Sequence, residues 1–269
     1  MAIKQRIFTA LIALPVLVLF IVFSGSVLFD LLVMVVVLLG LSEFYRMSLP
    51  VERTAERYAA MAVGGLLTLV PVLNVGATLP SLMLVTFFFA IWFLWRFHEL
   101  HSVIHHLALV LFGFLYLPLL LGHLSLLHGL PHGKEWIFLV LFIVMLGDSA
   151  AYFTGVNFGR RKLYPAISPN KSIEGALGGL VGSFGGALAF KYWFFPELSM
   201  GDCFLLGFGL GALGQVGDLF ESMLKRSFGV KDSGTLIPGH GGILDRLDSL
   251  IFAFAPAYYY ALWFFQTPR

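Results

Sequence analysis

Charge is what this chain has least of. Lys, Arg, Asp and Glu make up 12% of its 269 residues, against roughly a quarter in an ordinary soluble domain. That shortage, with 59% apolar side chains and a mean hydropathy of +0.90, excludes a soluble globular fold and points to a polytopic membrane protein. Cysteine is nearly absent as well. Cys203 stands alone, which excludes an intramolecular disulfide and a cysteine-based metal cluster; in its apolar run it reads as a small hydrophobe. The net charge of +2 says little about partners, because the placement of the basic residues matters more than their sum; no nucleic-acid partner is expected. Internal repeats, low-complexity tails and a soluble domain are also missing.

What remains is long apolar runs. A spanning helix needs roughly 20 mostly apolar residues, about 17–25 in range, and nine stretches qualify: 7–23, 27–47, 59–75, 79–97, 104–127, 136–154, 173–195, 200–216 and 249–265. The first has the outline of a signal peptide, with Lys4 and Arg6 ahead of it. Its length exceeds the usual core of about 7–15 residues and no small-residue cleavage site follows, so a retained helix is expected. With the N-terminus cytoplasmic, nine spans put 14 Lys and Arg residues on the cytoplasmic side and three (Lys134, Lys191, Arg269) on the other. The positive-inside rule therefore favours both this orientation and this span count. The expectation is an all-α polytopic integral membrane protein of about nine transmembrane helices, N-terminus cytoplasmic.

The chain changes character near residue 135. Residues 1–135 are apolar spans with short loops, expected to be scaffold; residues 136–269 bring glycines and charges into the helices. His98, His101, His105 and His106 cluster at the start of the fifth run without carboxylate or cysteine partners, and they read as interfacial side chains. Gly175, Gly178, Gly179, Gly182, Gly185 and Gly186 recur at three- and four-residue spacing, a small-residue face on which another helix can approach closely.

Two polar islands interrupt the second part. One runs from Gly214 to Leu250, the other from Gly147 to Gly175. Ionisable groups at membrane depth are costly and usually functional. In the later island Asp218, Glu221, Ser222 and Lys225 share one helical face, and Gly229 is placed to end that helix. Pro238-Gly239-His240-Gly241-Gly242 cannot be regular helix, and such turns followed by a helix N-terminus suit bound phosphate. Asp245 and Asp248 then lie three apart on the helix that follows. Asp218, Asp245 and Asp248 are hard oxygen donors suited to Mg²⁺, which takes one or two carboxylates and completes its shell with water and substrate phosphate. Lys171, Lys225, Arg226, Lys231 and Arg246 are the candidate phosphate clamps. His240 either bonds phosphate or orients the loop. In the earlier island Asp148 interrupts the sixth run, and Ser168 to Glu174 carries a helix start that presents Lys171 to the same surface. Positioning and charge neutralisation of this kind are most of what phosphoryl or nucleotidyl transfer asks of a protein.

Ser222-Met-Leu-Lys225-Arg226, then Lys231-Asp232, then Pro238-Gly-His240-Gly-Gly-Ile-Leu-Asp245-Arg246-Leu-Asp248 resembles the signature of the phosphatidate cytidylyltransferase (CDP-diacylglycerol synthase) family. The Gly147–Gly175 island is similar to that family's second stretch, with Asn170, Ser172 and Ile173 departing from its Lys-Thr-Trp. The resemblance implies CTP and phosphatidic acid as substrates, Mg²⁺ with a second cation such as K⁺, a homodimer, and a paired-Asp metal centre on Asp218 and Asp245. Carried onto this sequence, it makes Asp218, Asp245, Lys225 and Arg246 the expected catalytic residues. Asp148, Lys171, Ser172, Ser222, Arg226, Lys231, Asp232, His240, Gly241 and Gly242 become the expected substrate contacts. A CTP-dependent polyprenol or phytol kinase is the nearest alternative. A transporter is a more distant one, since both polar islands fall in one half and no repeat is visible. The Asp-Gly dipeptide that opens the CDP-alcohol phosphotransferase hallmark does not occur.

Overall fold

A computed structural model of the protein describes residues 15–96, 99–236 and 241–265. Residues 15–23 are helical. They are followed by α1 (Ser26–Ser48), α2 (Thr54–Leu73), α3 (Thr78–Trp95), α4 (Leu100–Phe114), a π-helical turn (Leu115–Leu119), α5 (Leu120–His128), α6 (Gly133–Phe158), a hairpin of β1 (Lys162–Tyr164) and β2 (Ser168–Ser172), α7 (Ile173–Trp193), α8 (Met200–Ser227) and α9 (Leu244–Phe264). The protein is an all-α membrane protein. By length and composition seven helical segments among the described residues can cross a bilayer: Ser26–Ser48, Val51–Leu73, Val75–Trp95, Leu100–His128, Gly133–Phe158, Ile173–Trp193 and Met200–Ser227. Residues 7–14 of the expected first span lie outside the described residues. The expected ninth falls on α9, whose Asp248, Pro256 and run of Tyr258, Tyr259 and Tyr260 dilute its apolar character.

The chain packs as two compact units, residues 1–126 with 232–245 and residues 127–231 with 246–269. In the first, α1 supplies the core through Phe29, Val33, Val37, Leu41, Phe44 and Tyr45, all buried. Tyr45 donates its hydroxyl to the Val110 carbonyl at 2.9 Å, which satisfies a polar tip that has no water to turn to. The fifth expected span is continuous through Leu100–His128, but Pro118 has no N–H to donate, and the helix widens to π at Leu115–Leu119 to absorb it. Arg53, buried at the foot of α2, is neutralised by Glu56 at 3.2 Å, bonds the Arg96 carbonyl at 2.8 Å and lies 5.0 Å from the Phe93 ring centre.

In the second unit the glycines of α7 do what their spacing predicts. A Cβ at Gly175 would stand 2.9 Å from the Ala151 carbonyl oxygen, at Gly182 2.9 Å from that of Leu146, and at Gly186 2.9 Å from that of Phe142. α7 therefore lies against the backbone of α6, with Ser183 donating to the Ile143 carbonyl at 3.0 Å. Gly182→Leu should force the two helices apart and cost about 1–3 kcal/mol, read as a lower melting temperature of the detergent-solubilised protein. α8 opens on a capping box, Ser199 with Asp202, and Tyr260 anchors it by donating to Asp202 Oδ1 at 2.6 Å. It ends as the sequence predicts: Gly229 takes φ +71° and the Val230 N–H returns to the Lys225 carbonyl at 2.9 Å, a Schellman closure.

Candidate active site

α8 is one helix of 28 residues, about 42 Å at 1.5 Å per residue. No break separates the expected span 200–216 from the polar turns beyond it, so Asp218, Glu221 and Ser222 ride on the extension of a membrane helix. Gly214 and Gly217 set how closely that extension meets α9. A Cβ on Gly217 would fall 2.5 Å from the Asp248 carbonyl oxygen, and one on Gly214 3.4 Å from that of Ser249. Close backbone approach at these two glycines brings Asp218 beside Asp248.

Asp148 of α6 joins them. The three carboxylates are near enough to repel one another, with Lys171 acting on Asp148 and Lys225 on Asp248. Ser249 donates its side chain to Asp148 and its N–H to Asp248 Oδ1 at 2.7 Å. Lys171 Nζ stands 2.6 Å from Asp218 Oδ2, both side chains a little under a third exposed. The two polar islands thus meet through an ion pair. Its delivery is local chemistry: β2 pairs antiparallel with β1, Lys162 opposite Ser172 and Tyr164 opposite Ser168, and Glu174 accepts from the N–H groups of Arg160 and Arg161 at 3.0 and 3.2 Å. The hairpin is thereby tied to the start of α7. Ser172 caps that helix, its Oγ accepting from the Gly175 N–H at 3.1 Å, a role that accounts for its burial. The hairpin itself has no clear signature in the sequence.

The other expected residues divide by position. Lys225 pairs with buried Glu221 at 2.5 Å. Arg226 reaches the carbonyls of Ile167 and Val230 at 3.4 and 3.3 Å, which places it on the hairpin. Lys231, Asp232 and Arg246 are exposed and Ser222 half-buried. His240 lies outside the described residues.

In the first unit, Asp245 Oδ2 accepts from the Ser233 N–H at 3.0 Å, the Ser233 hydroxyl at 3.0 Å and the Gly242 N–H at 2.8 Å. Gly241, at φ +82°, passes so close that a Cβ would sit 2.6 Å from the same oxygen. A carboxylate that sequence reading overlooked completes this cluster. Glu43 of α1, 6% exposed, accepts from the Ser233 hydroxyl at 2.9 Å, the Ile243 N–H at 2.9 Å and the Leu244 N–H at 3.0 Å. A carboxylate inside the apolar run 27–47 was the available signal, by the same reasoning that singled out Asp148.

Among the described residues no three His, Cys, Asp or Glu side chains form a set able to hold a metal ion. In the first unit, the Asp245 Oδ2 is taken up by three donors of its own loop. The donor chemistry around Asp218 nevertheless fits a hard divalent ion. Carboxylates of Asp148, Asp218 and Asp248 crowd one another, and Asp218 already attracts a cation in the form of the Lys171 ammonium. Mg²⁺ asks for no more than one or two such ligands.

Residues 4–265 match the cytidylyltransferase family. The chain belongs to that family. Among curated relatives, stretches of it are 51% identical to the phosphatidate cytidylyltransferase of Staphylococcus aureus strain COL over 122 residues, 44% to that of Bacillus subtilis strain 168 over 137 residues, and 45% to that of Haemophilus influenzae over 144 residues. Each match covers 45%, 50% and 50% of this chain in turn, and 46%, 50% and 49% of the relative. The chain spans about half the length of the curated relatives it matches.

Proposed function

We propose that the protein transfers the cytidylyl group of CTP to phosphatidic acid, forming CDP-diacylglycerol and releasing pyrophosphate. The observation that carries this reading is the 2.6 Å pair of Lys171 and Asp218, which joins two separated polar islands of a family member into one charged cluster. A phosphate oxygen of phosphatidate attacks the α-phosphorus of CTP; the bond from that phosphorus to the oxygen bridging to the β-phosphorus breaks, and that oxygen leaves with pyrophosphate. A phosphate monoester dianion is a competent nucleophile near neutral pH, so no protein base is invoked.

Asp218 and Asp248 are the proposed Mg²⁺ ligands, with Asp245 retained as a third candidate and Asp148 as their polar neighbour. When bound, Mg²⁺ supplies charge neutralisation to the triphosphate. A monovalent ion such as K⁺ beside Mg²⁺ is proposed on the family resemblance. Lys171 and Lys225 would exchange their present carboxylate partners for phosphate oxygens, while Lys231 and Arg246, both exposed, would hold the rest of the triphosphate. Ser222, Arg226, Asp232, His240, Gly241 and Gly242 remain proposed substrate contacts. The 14-to-three distribution of Lys and Arg supports a site facing the cytoplasm from the bacterial inner membrane, where a lipid headgroup meets a soluble nucleotide. A homodimer is proposed on the family resemblance.

Purified protein given labelled CTP should release pyrophosphate with phosphatidate, only when Mg²⁺ is present, and should not phosphorylate a polyprenol. No Mg²⁺-dependent release with phosphatidate overturns the reading, and phosphorylated polyprenol would replace it with the lipid-kinase alternative. Lys171→Ala should lower kcat/KM by about 10²-fold, the scale of one well-placed charge at a phosphoryl centre. His105→Ala should leave turnover nearly unchanged; a large loss would mean that the histidine cluster belongs to the site.

A further inference from the structure

Glu43 stands apart from every residue considered above. It lies in α1, among helices with few other polar groups inside them, and no Lys or Arg is within ion-pair distance of it among the described residues. Its carboxylate instead accepts three hydrogen bonds from one segment: Ile243 N–H on Oε1, and Leu244 N–H and the Ser233 hydroxyl on Oε2. The first two donors are orphan amides at the start of α9, which no carbonyl within that helix can satisfy. A carboxylate there also meets the positive end of the helix dipole. The Ser233 hydroxyl has one proton, and it faces Glu43 Oε2 at 2.9 Å and Asp245 Oδ2 at 3.0 Å. Glu43 and Asp245 are thus linked through a single hydroxyl, and both close on Gly242, whose Cβ would stand 2.3 Å from Glu43 Oε2.

We propose that Glu43 is a positioning residue for the cytidylyl transfer, acting through Asp245. It fixes the first turn of α9 and, by way of Ser233, the orientation of the Asp245 carboxylate. This inference rests on the function proposed above. The charge is needed because all three partners are donors: an amide in its place has one acceptor oxygen and turns an N–H₂ group toward N–H or O–H. An uncompensated buried donor is costly, and the loop would shift to avoid it.

The test compares Glu43→Gln, Glu43→Asp and Ser233→Ala in the full-length protein in detergent, with kcat expressed per folded molecule from size-exclusion recovery. Glu43→Gln should lower kcat by about 10²-fold, the loss that a displacement of about 1 Å can produce, with KM for CTP within about threefold of wild type. Glu43→Asp, which keeps the acceptors but shortens the reach, should recover at least tenfold of that loss. Amide exchange at Ser233, Ile243 and Leu244 should quicken in Glu43→Gln while amides of α7 keep their rates. A Glu43→Gln protein with wild-type kcat per folded molecule overturns the inference, as does exchange that rises everywhere alike. If Glu43→Gln fails to fold, Ser233→Ala carries the test, with kcat expected to fall about tenfold and an unchanged value overturning the proposal. A wild-type protein inactive on phosphatidate would instead sink the proposed function, and the exchange pattern would still report on the Glu43 cradle.

Discussion

Asp218→Asn is expected to abolish turnover, by about 10³-fold or more, while the protein still elutes as a folded species in detergent. The substitution preserves shape and removes one negative charge, so packing of α8 is untouched. Its carboxylate is the point at which Lys171, Asp148 and Asp248 converge. Removing that charge leaves Lys171 without its counterion and strips a hard ligand from the proposed Mg²⁺ position. Preorganised charge at a reacting phosphate is worth about 10²–10³ in rate per group, and this group serves both the metal and the lysine. Asp245→Asn should be comparably damaging, because it removes the negative charge on which the Ser233 N–H, the Ser233 hydroxyl and the Gly242 N–H converge. Phosphatidate-dependent pyrophosphate release measures both variants. Near-normal activity in either removes that residue from the metal site.

Gly217→Val should be nearly as severe by a different route. Any Cβ at this position falls 2.5 Å from the Asp248 carbonyl oxygen and 3.4 Å from the Phe252 side chain. Backbone cannot rotate away as a side chain tip can, so α8 and α9 must separate. Overpacking of this kind costs about 1–3 kcal/mol, which lowers the melting temperature without preventing folding. The larger effect is geometric: separation draws Asp218 away from Asp248, and displacements of about 1 Å at a catalytic group can cost about 10²-fold in rate. Gly209→Ala on the same helix is the control. Nothing lies within 4 Å of a Cβ there, and removing a helical glycine should stabilise by about 0.5–1 kcal/mol with activity retained. Equal activity in the Gly217 and Gly209 variants would show that the approach of the two helices is not what assembles the cluster.

Much of this architecture was legible before any coordinates. The apolar runs located the helices because a bilayer imposes both length and composition. Gly229 announced the end of α8 because a left-handed residue there favours glycine, and the α7 glycines announced a close helix contact because their spacing matches the helical period. Asp218, Asp245, Asp248 and Lys171 stood out because charge is rare in this chain. Glu43 was missed for a reason of scale: a single carboxylate in an apolar run shows no periodicity, and its partners lie about 190 and 200 residues away in sequence. The β1–β2 hairpin was missed because Ser-Pro-Asn-Lys-Ser has neither alternation nor strand-forming residues; backbone clamping by Glu174 holds it instead.

The sequence alone determined the class of protein, the position of most helices, the two polar islands and the family resemblance, since these depend on composition and local spacing. Which charges meet was decided only by the tertiary structure. Lys171 reaches Asp218 because a hairpin is tied to α7, Asp218 lies beside Asp248 because Gly217 lets two backbones touch, and Asp245 shares the Ser233 hydroxyl with a glutamate of α1. Each of these depends on distances across the fold that no local pattern encodes.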